Sequence, residues 1–222
     1  MCSEIEQIKT YLESDDSQKR LKALTELRKE EYGTEVAVPL LKSKMGDREF
    51  LVRSFVAMGL GRKQTAESFA ALLELIQFDP DPNVRAEAAN SLSFYGQVAA
   101  PHLVSLFHKD DHWLIRRSII AALFDLDCPE ELFEVCECGI TGEDPTVKEV
   151  CVDGFGFLAD SVKHDACLKQ LLALVDDGWW RLRVRVARAL GNYNELEAKT
   201  ALEKLRQDED HRVVAAVLNT LI

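Results

Sequence analysis

Six cysteines are the first residues that offer chemistry, and five of them fall between Cys128 and Cys167. Thiols at that density suggest zinc binding or thiol exchange. The spacing speaks against a metal. Cys136 and Cys138 enclose one residue where a zinc pair usually encloses two, and on a helix they point apart. His102, His108 and His112 cluster, but no register brings carboxylates to them. None of His102, His108, His112, His164 or His211 precedes a Glu, so the His-Glu pairs of a di-iron centre are missing. The chain has no Gly-rich phosphate loop and no Gly-x-Ser-x-Gly elbow. A catalytic nucleophile therefore does not emerge, and the metal expectation is none. What remains is recognition chemistry. Arg181, Arg185 and Arg188 follow one another on one helical face, an arrangement suited to an anionic group. Trp113 and Trp180 are candidates for amphipathic anchors at a binding rim.

The elements that position these residues repeat. Asp79-Pro-Asp-Pro-Asn-Val-Arg-Ala-Glu-Ala-Ala-Asn-Ser-Leu92 reads as a capped helix start. Asp81 offers the cap, Pro82 fits the first helical position, and Val84, Ala88, Ala89 and Leu92 share one face. The position of Arg85 recurs as Arg20, Arg53, Arg85, Arg116, Lys148, Arg183 and Val214. Subtracting neighbours gives spacings of 33, 32, 31, 32, 35 and 31. Seven residues later stand Leu27, Leu60, Leu92, Leu123, Phe155, Leu190 and Leu221. Twelve residues earlier lie Leu41, Leu73, Val104, Cys136, Leu171 and Leu202, the mark of an upstream helix. Each unit is thus helix A, short turn, helix B, and a fixed period of this length means a stacked solenoid. Six before the base stand Asp47, Asp79, Asp110, Asp177 and Asp208. These acids and bases are expected to form exposed pairs that set the stacking register. The fifth copy is the least regular, with Lys148 for Arg, Gly142 for Asp, and Gly154 and Gly156 in its B helix.

The Asp-Pro-x-x-Arg-x-x-Ala-Ala-x-x-Leu pattern of Asp81 to Leu92 resembles HEAT-type repeats. The short period is similar to the HEAT-like repeats of cyanobacterial phycobilin lyases of the E/F type, and of the non-bleaching B-type protein of phycobilisome degradation. The resemblance implies an all-α, right-handed solenoid of about seven helix pairs. It spans 1–222 as one unit, with repeats at about 3–31, 35–61, 65–95, 97–125, 129–158, 164–193 and 196–222. The first B helix is expected over about 17–30, with Gly33 ending it, and the second A and B helices near 35–45 and 48–60. Register makes Cys136, Cys138, Cys151 and Cys167 small core residues, leaving Cys2 and Cys128 as the exposed thiols, all six reduced. The chain closes at Ile222 with its apolar face just completed, an end expected to be open or paired with another chain.

Offsets −2, +2, +5 and +9 on each B helix face away from the core and, in such stacks, line the concave surface. The binding residues expected there are Phe55, Met58, Glu87, Phe94, Asp125, Asp153, Phe157, Arg181, Arg185 and Arg188. Apolar residues open this surface, acids hold its middle and arginines end it. A solvated face has no use for Phe55, Met58, Phe94 and Phe157. The resemblance implies action on phycobiliproteins: attaching or detaching an open-chain tetrapyrrole, or turning over the phycobilisome. Arginines suit the propionates of a phycobilin, acids its pyrrole N–H groups, and aromatics its rings. The partners implied are phycobiliprotein subunits or a second HEAT-like chain, with no intrinsic cofactor. The alternative is an interaction scaffold without pigment chemistry. A weaker third reading, from Trp179-Trp180-Arg181, resembles a HEAT-like base-excision glycosylase. Net charge is −11, which argues against a nucleic-acid binder. The start, Met1-Cys-Ser-Glu-Ile-Glu, has neither the basic region nor the apolar run of a signal peptide, and no stretch is long enough to insert in a membrane. A cytoplasmic location is expected.

Overall fold

The structure is a computed structural model that describes residues 2–220. Among them stand fourteen α-helices and no strand. They divide into two compact units, Met1–Ala122 and Leu123–Ile222. In the first, helices alternate as A and B: α1 (Cys2–Leu12) with α2 (Ser17–Leu27), α3 (Thr34–Lys42) with α4 (Phe50–Lys63), and α5 (Ala66–Phe78) with α6 (Pro82–Leu92). A 3₁₀ segment, Ser93–Ala99, leads into α7 (Ala100–Lys109), followed by α8 (Trp113–Phe124), whose last two residues fall in the second unit. That unit continues with α9 (Pro129–Ile140), α10 (Pro145–Phe157), α11 (His164–Ala173), α12 (Trp180–Leu190), α13 (Leu196–Leu205) and α14 (His211–Asn219). B helices stack on B helices: α2 on α4 on α6 in one unit, α10 on α12 on α14 in the other. Seven pairs follow the seven copies. Leu221 and Ile222, and the expectation of an open apolar end there, lie outside the described residues.

The local reasons are those of the repeat. Asp16, Asp81, Asp144 and Asp210 stand four before the key position and accept a hydrogen bond from a first-turn N–H. Pro82 and Pro145 follow their caps at the first helical position. Offsets 0 to +7 then bury one stripe, such as Val56, Ala57 and Leu60, all fully covered. Two boundaries differ from expectation. Helix α2 ends at Leu27, and Gly33 is the residue before α3 rather than the stop of the helix preceding it. Pro39 lies inside α3 beyond its first turn, where it forgoes one helical hydrogen bond, whereas Pro101 stands in the first turn of α7.

The acid–base pairs form a ladder with a fixed wiring. Each arginine donates to the backbone carbonyl six residues earlier: Arg53 to Asp47, Arg85 to Asp79, and Arg183 to Asp177. Its guanidinium also grips the acid of the next copy: Arg20–Asp47 at 2.8 Å, Arg53–Asp79 at 2.7 Å, Arg85–Asp110 at 2.9 Å and Arg183–Asp208 at 2.7 Å. The acid in turn accepts the N–H two residues on, as Asp79 does from Asp81. These pairs were expected at the surface, but three of the four bury both side chains to 10% exposure or less. The pairs lie where one copy meets the next, and a pattern within one copy carries no sign of that enclosure. Arg116 has Gly142 where the next acid would stand, and it lays its guanidinium over the Phe107 ring, 5.1 Å from the centroid.

The glycines of the fifth copy belong to a packing pattern and are no irregularity. At offset +6 the B helix meets its own A helix. A Cβ on Gly59 would lie 2.5 Å from a Leu41 methyl, and one on Gly154 would lie 2.5 Å from Cys136 Sγ. The cysteines follow register in three cases. Cys136, Cys151 and Cys167 are fully buried. Cys138 is only half-buried. Cys128 was expected to be exposed but is buried at 6%, because α9 begins beneath it and its thiol turns to the Leu123 carbonyl. Burial drives the Cys128 thiol up to about 11, well above its ordinary range. The side chain of Cys2 lies outside the description. Cys136→Ser is expected to destabilise by about 1–3 kcal/mol, since a hydroxyl replaces a thiol in a closed apolar site. Urea unfolding checks it, and reaction of Cys136 with a bulky thiol reagent in the folded protein would contradict the core assignment.

Candidate functional site

Each unit presents a B-helix face that packing leaves uncovered. On the first unit, α4 offers Phe55 and Met58, both half-buried. Arg28 reaches across from the end of α2 and places a guanidinium nitrogen 3.8 Å from Met58 Sδ. Glu87 on α6 is half-buried, and that burial raises its carboxyl above the usual range, although Arg28 works against the shift. Phe94 is 47% exposed, with Arg62 stacked over its ring at 5.1 Å. Trp113 is 42% exposed beside the His112 ring. His102 packs on Phe69 and His108 on Phe107, so the three clustered histidines go to separate aromatic neighbours.

The second unit carries the more polar face. Arg185 on α12 bridges to α10, with Asp153 at 2.5 Å and Glu149 at 3.0 Å. Sequence places Asp153 beside the arginines. Glu149 escaped notice because it lies one position from the key lysine and outside the chosen face. Arg185 is therefore neutralised by its own fold. Arg188 is exposed and makes no ion pair among the described residues. Arg181 is exposed beside Trp180, at 5.4 Å from the ring. Arg212 from α14 covers the same ring at 3.3 Å, so Trp180 is a half-buried plate under guanidinium groups and not an open rim residue. Asn192 ties α12 to α10 by donating to the Gly156 carbonyl at 2.9 Å.

Beyond Asp153, one turn along α10, Phe157 is 58% exposed and meets the Phe124 ring edge-on at 5.0 Å. The two rings form one wall of a groove of 530 Å³. Its other lining comes from the turns on either side: Leu126, Cys128 and Leu132 before and along α9, and Leu158 and Val162 after α10. Asp125, Asp127 and Asp160 stand in the same lining. Of these residues, sequence had singled out Asp125, Phe157 and Cys128. Leu126, Asp127 and Val162 lie in turns, where the repeat imposes no register.

The loop that carries Val162 is fastened at its end. His164 contacts the Ala159 carbonyl through Nδ1 and Glu195 Oε1 through Nε2, the latter at 2.7 Å. The bond to the Ala159 carbonyl, with Glu195 second and Asp165 contributing, raises the affinity of His164 for its proton. A histidine whose folded value is raised contributes stability fully below its unfolded value of about 6.5, and loses that contribution as pH rises through the higher folded value. His164→Gln is expected to lower the melting temperature below pH of about 6 and to approach the parent above pH of about 8. Melting profiles across pH check it, and a constant offset between the two proteins would show that the imidazolium carries no part of the fastening.

The HEAT repeats family model matches residues 38–123 and 135–222. No curated protein matches the chain by sequence. Solved structures share its fold at low identity. In the complex of CpcE and CpcF of phycocyanin lyase from Nostoc sp. PCC7120, the matched chain is 19% identical, with 97% of this chain and 94% of that one covered and a TM-score of 0.54. YibA of Escherichia coli is 14% identical over 97% and 91% of the two chains, at 0.61. Kap95p, from its complex with RanGDP, is 15% identical over 98% of this chain but 34% of its own, at 0.63. At these identities the likeness is one of fold.

Proposed function

This chain belongs to the HEAT-repeat family, and on that premise we propose that it is a binding protein whose B-helix faces hold a phycobiliprotein during bilin attachment, bilin detachment or phycobilisome turnover. The observation that carries the reading is the pair Arg181 and Arg188, exposed charges on α12 that neither the ladder nor the core employs. They share α12 with Arg185, which meets Asp153 on the neighbouring α10, the helix that also carries Phe157. An anion-binding position, a carboxylate and an exposed ring in sequence suit an open-chain tetrapyrrole, with propionate, pyrrole N–H and conjugated ring as the matching parts. The likeness to the phycocyanin lyase subunit supports the same class, since it runs the length of both chains. Arg185 takes a positioning role, because Asp153 and Glu149 already occupy its guanidinium.

The test is titration of purified phycocyanin subunits, with and without bilin, against the parent and an Arg181→Glu, Arg188→Glu double variant. Affinity is expected to fall at least about tenfold with charge reversal, while the melting temperature holds, because exposed charges contribute little to folding. Unchanged affinity would overturn the assignment of the site. Arg185→Glu is different: it sets three carboxylates together and is expected to lower stability. A second reading is a scaffold that joins proteins without pigment, and it is favoured by the fold shared with Kap95p. Equal binding of the two subunit forms, or binding only to proteins without bilin, would favour it.

A further inference from the structure

We infer that the groove between the C-terminal ends of α8 and α10 is a docking site for a peptide segment of a partner that carries an aliphatic or aromatic anchor flanked by lysine or arginine. The inference deepens the proposed binding function and rests on it for the existence of a protein partner. It concerns the groove on the far side of Phe157, the one ring it shares with the arginine strip, and its charge is opposite to that of the strip.

The floor and walls are apolar. Phe124, Leu126, Leu132, Phe157, Leu158 and Val162 line them. Two of these residues are far more exposed than packing requires: Phe157 at 58% and Val162 at 78%. Each sits at a point where the chain had a free choice. Phe157 ends α10 at an outward offset, and Val162 lies in the turn before α11. Large apolar side chains held open around one concavity mark a contact surface, whereas scattered ones do not. The volume, 530 Å³, lies within the range of pockets that hold a few side chains or a small ligand.

Charge selects the occupant. Three acids, Asp125, Asp127 and Asp160, stand in the lining, and no lysine or arginine does. The base next in sequence, Lys163, directs its ammonium to the Phe133 ring at 5.7 Å and so leaves the rim acidic. Acids around an apolar floor attract a cation and repel an anion, and the desolvated contact falls to the anchor in the middle. A propionate-bearing ligand is disfavoured here for the same reason. The His164 bonds to Ala159 and Glu195 hold the Val162 wall in place before any partner arrives, which lowers the ordering cost of binding.

The experiment is an NMR titration of the whole ¹⁵N-labelled chain with two synthetic capped peptides, Lys-Phe-Arg-Leu-Lys and its charge-swapped form Glu-Phe-Asp-Leu-Glu. The basic peptide is expected to give saturable shifts at Asp125, Phe157 and Val162, and the acidic one none. Val162→Ser, a change at an exposed turn position that adds no charge, is expected to weaken the basic peptide by about tenfold, the weight of one apolar anchor. Asp125→Asn with Asp160→Asn is expected to weaken it in a salt-dependent way. Equal shifts from both peptides would overturn the charge argument. Absence of shifts at these residues with the basic peptide would overturn the site. Neither result involves the phycocyanin subunits, so failure here is distinguishable from failure of the arginine strip.

Discussion

Asp79→Ala is expected to destabilise the protein by about 3 kcal/mol, more than any single surface charge would suggest, because it strands a buried cation. The Arg53 and Asp79 side chains are 10% and 2% exposed and meet through two hydrogen bonds, at 2.7 and 2.9 Å. With the carboxylate gone, the guanidinium keeps only the Asp47 carbonyl. The turn also loses the bond from the Asp81 N–H, so the cap of α6 loosens. Replacing both partners, as Arg53→Met with Asp79→Leu, is expected to recover most of the loss, because the cost lies in the uncompensated charge and not in a missing attraction. Asp110→Ala should lose less, since its pair with Arg85 is 18% and 21% exposed. Urea midpoints of the four proteins decide it. An Asp79→Ala midpoint equal to that of the parent would remove the ladder from the account of stability.

Gly156→Leu is expected to lose about 2–3 kcal/mol, although a glycine inside a helix is ordinarily improved by a side chain. A Cβ at this position would stand 2.9 Å from the Ala189 Cβ and 3.0 Å from its Cα, so backbone and not a movable side chain is in the way. Gly61 occupies the same repeat offset and faces Ser91 at 2.8 Å. Offset +8 is thus where one B helix touches the next, and α10 and α12 would have to part to admit a leucine. Parting them also lengthens the Asn192 bond to the Gly156 carbonyl and the Arg185 bridge to Asp153 and Glu149. Thermal melts read the loss, and Ala189→Gly in the same chain should return part of it. A Gly156→Leu protein as stable as the parent would mean the helices have room there.

Much of this was legible before any coordinates. The recurrence of Arg20, Arg53, Arg85 and Arg183 with a leucine seven later gave the helix pairs, and the positions of Cys136, Cys151 and Cys167 in that register put them in the core, where they are. Register describes a side chain's place within its own copy. It is silent about what the next copy lays over that place. For that reason register alone makes the ladder pairs exposed, Gly154 and Gly156 irregular, and Arg185 one more member of an anion-binding strip. Cys128, Val162 and the acids Asp127 and Asp160 sit in turns, where no periodicity applies, and their convergence on one groove needed the fold.

The ladder gives the stack a polarity. Every rung joins the base of one copy to the acid of the copy after it, never the reverse. Trimming from the two ends is therefore not equivalent. Removal of α1 and α2 takes away Arg20 and leaves Asp47 alone, whereas removal of α13 and α14 takes away Asp208 and leaves Arg183 alone. A stranded carboxyl can shed its charge by accepting a proton, but a stranded guanidinium stays charged at any pH a protein survives. Shortening from the front is the forgiving direction, and acid makes it more so. Shortening from the back leaves a permanent charge on the last helix, which asks for an anion, from solvent or from another molecule, to take the place of the lost copy.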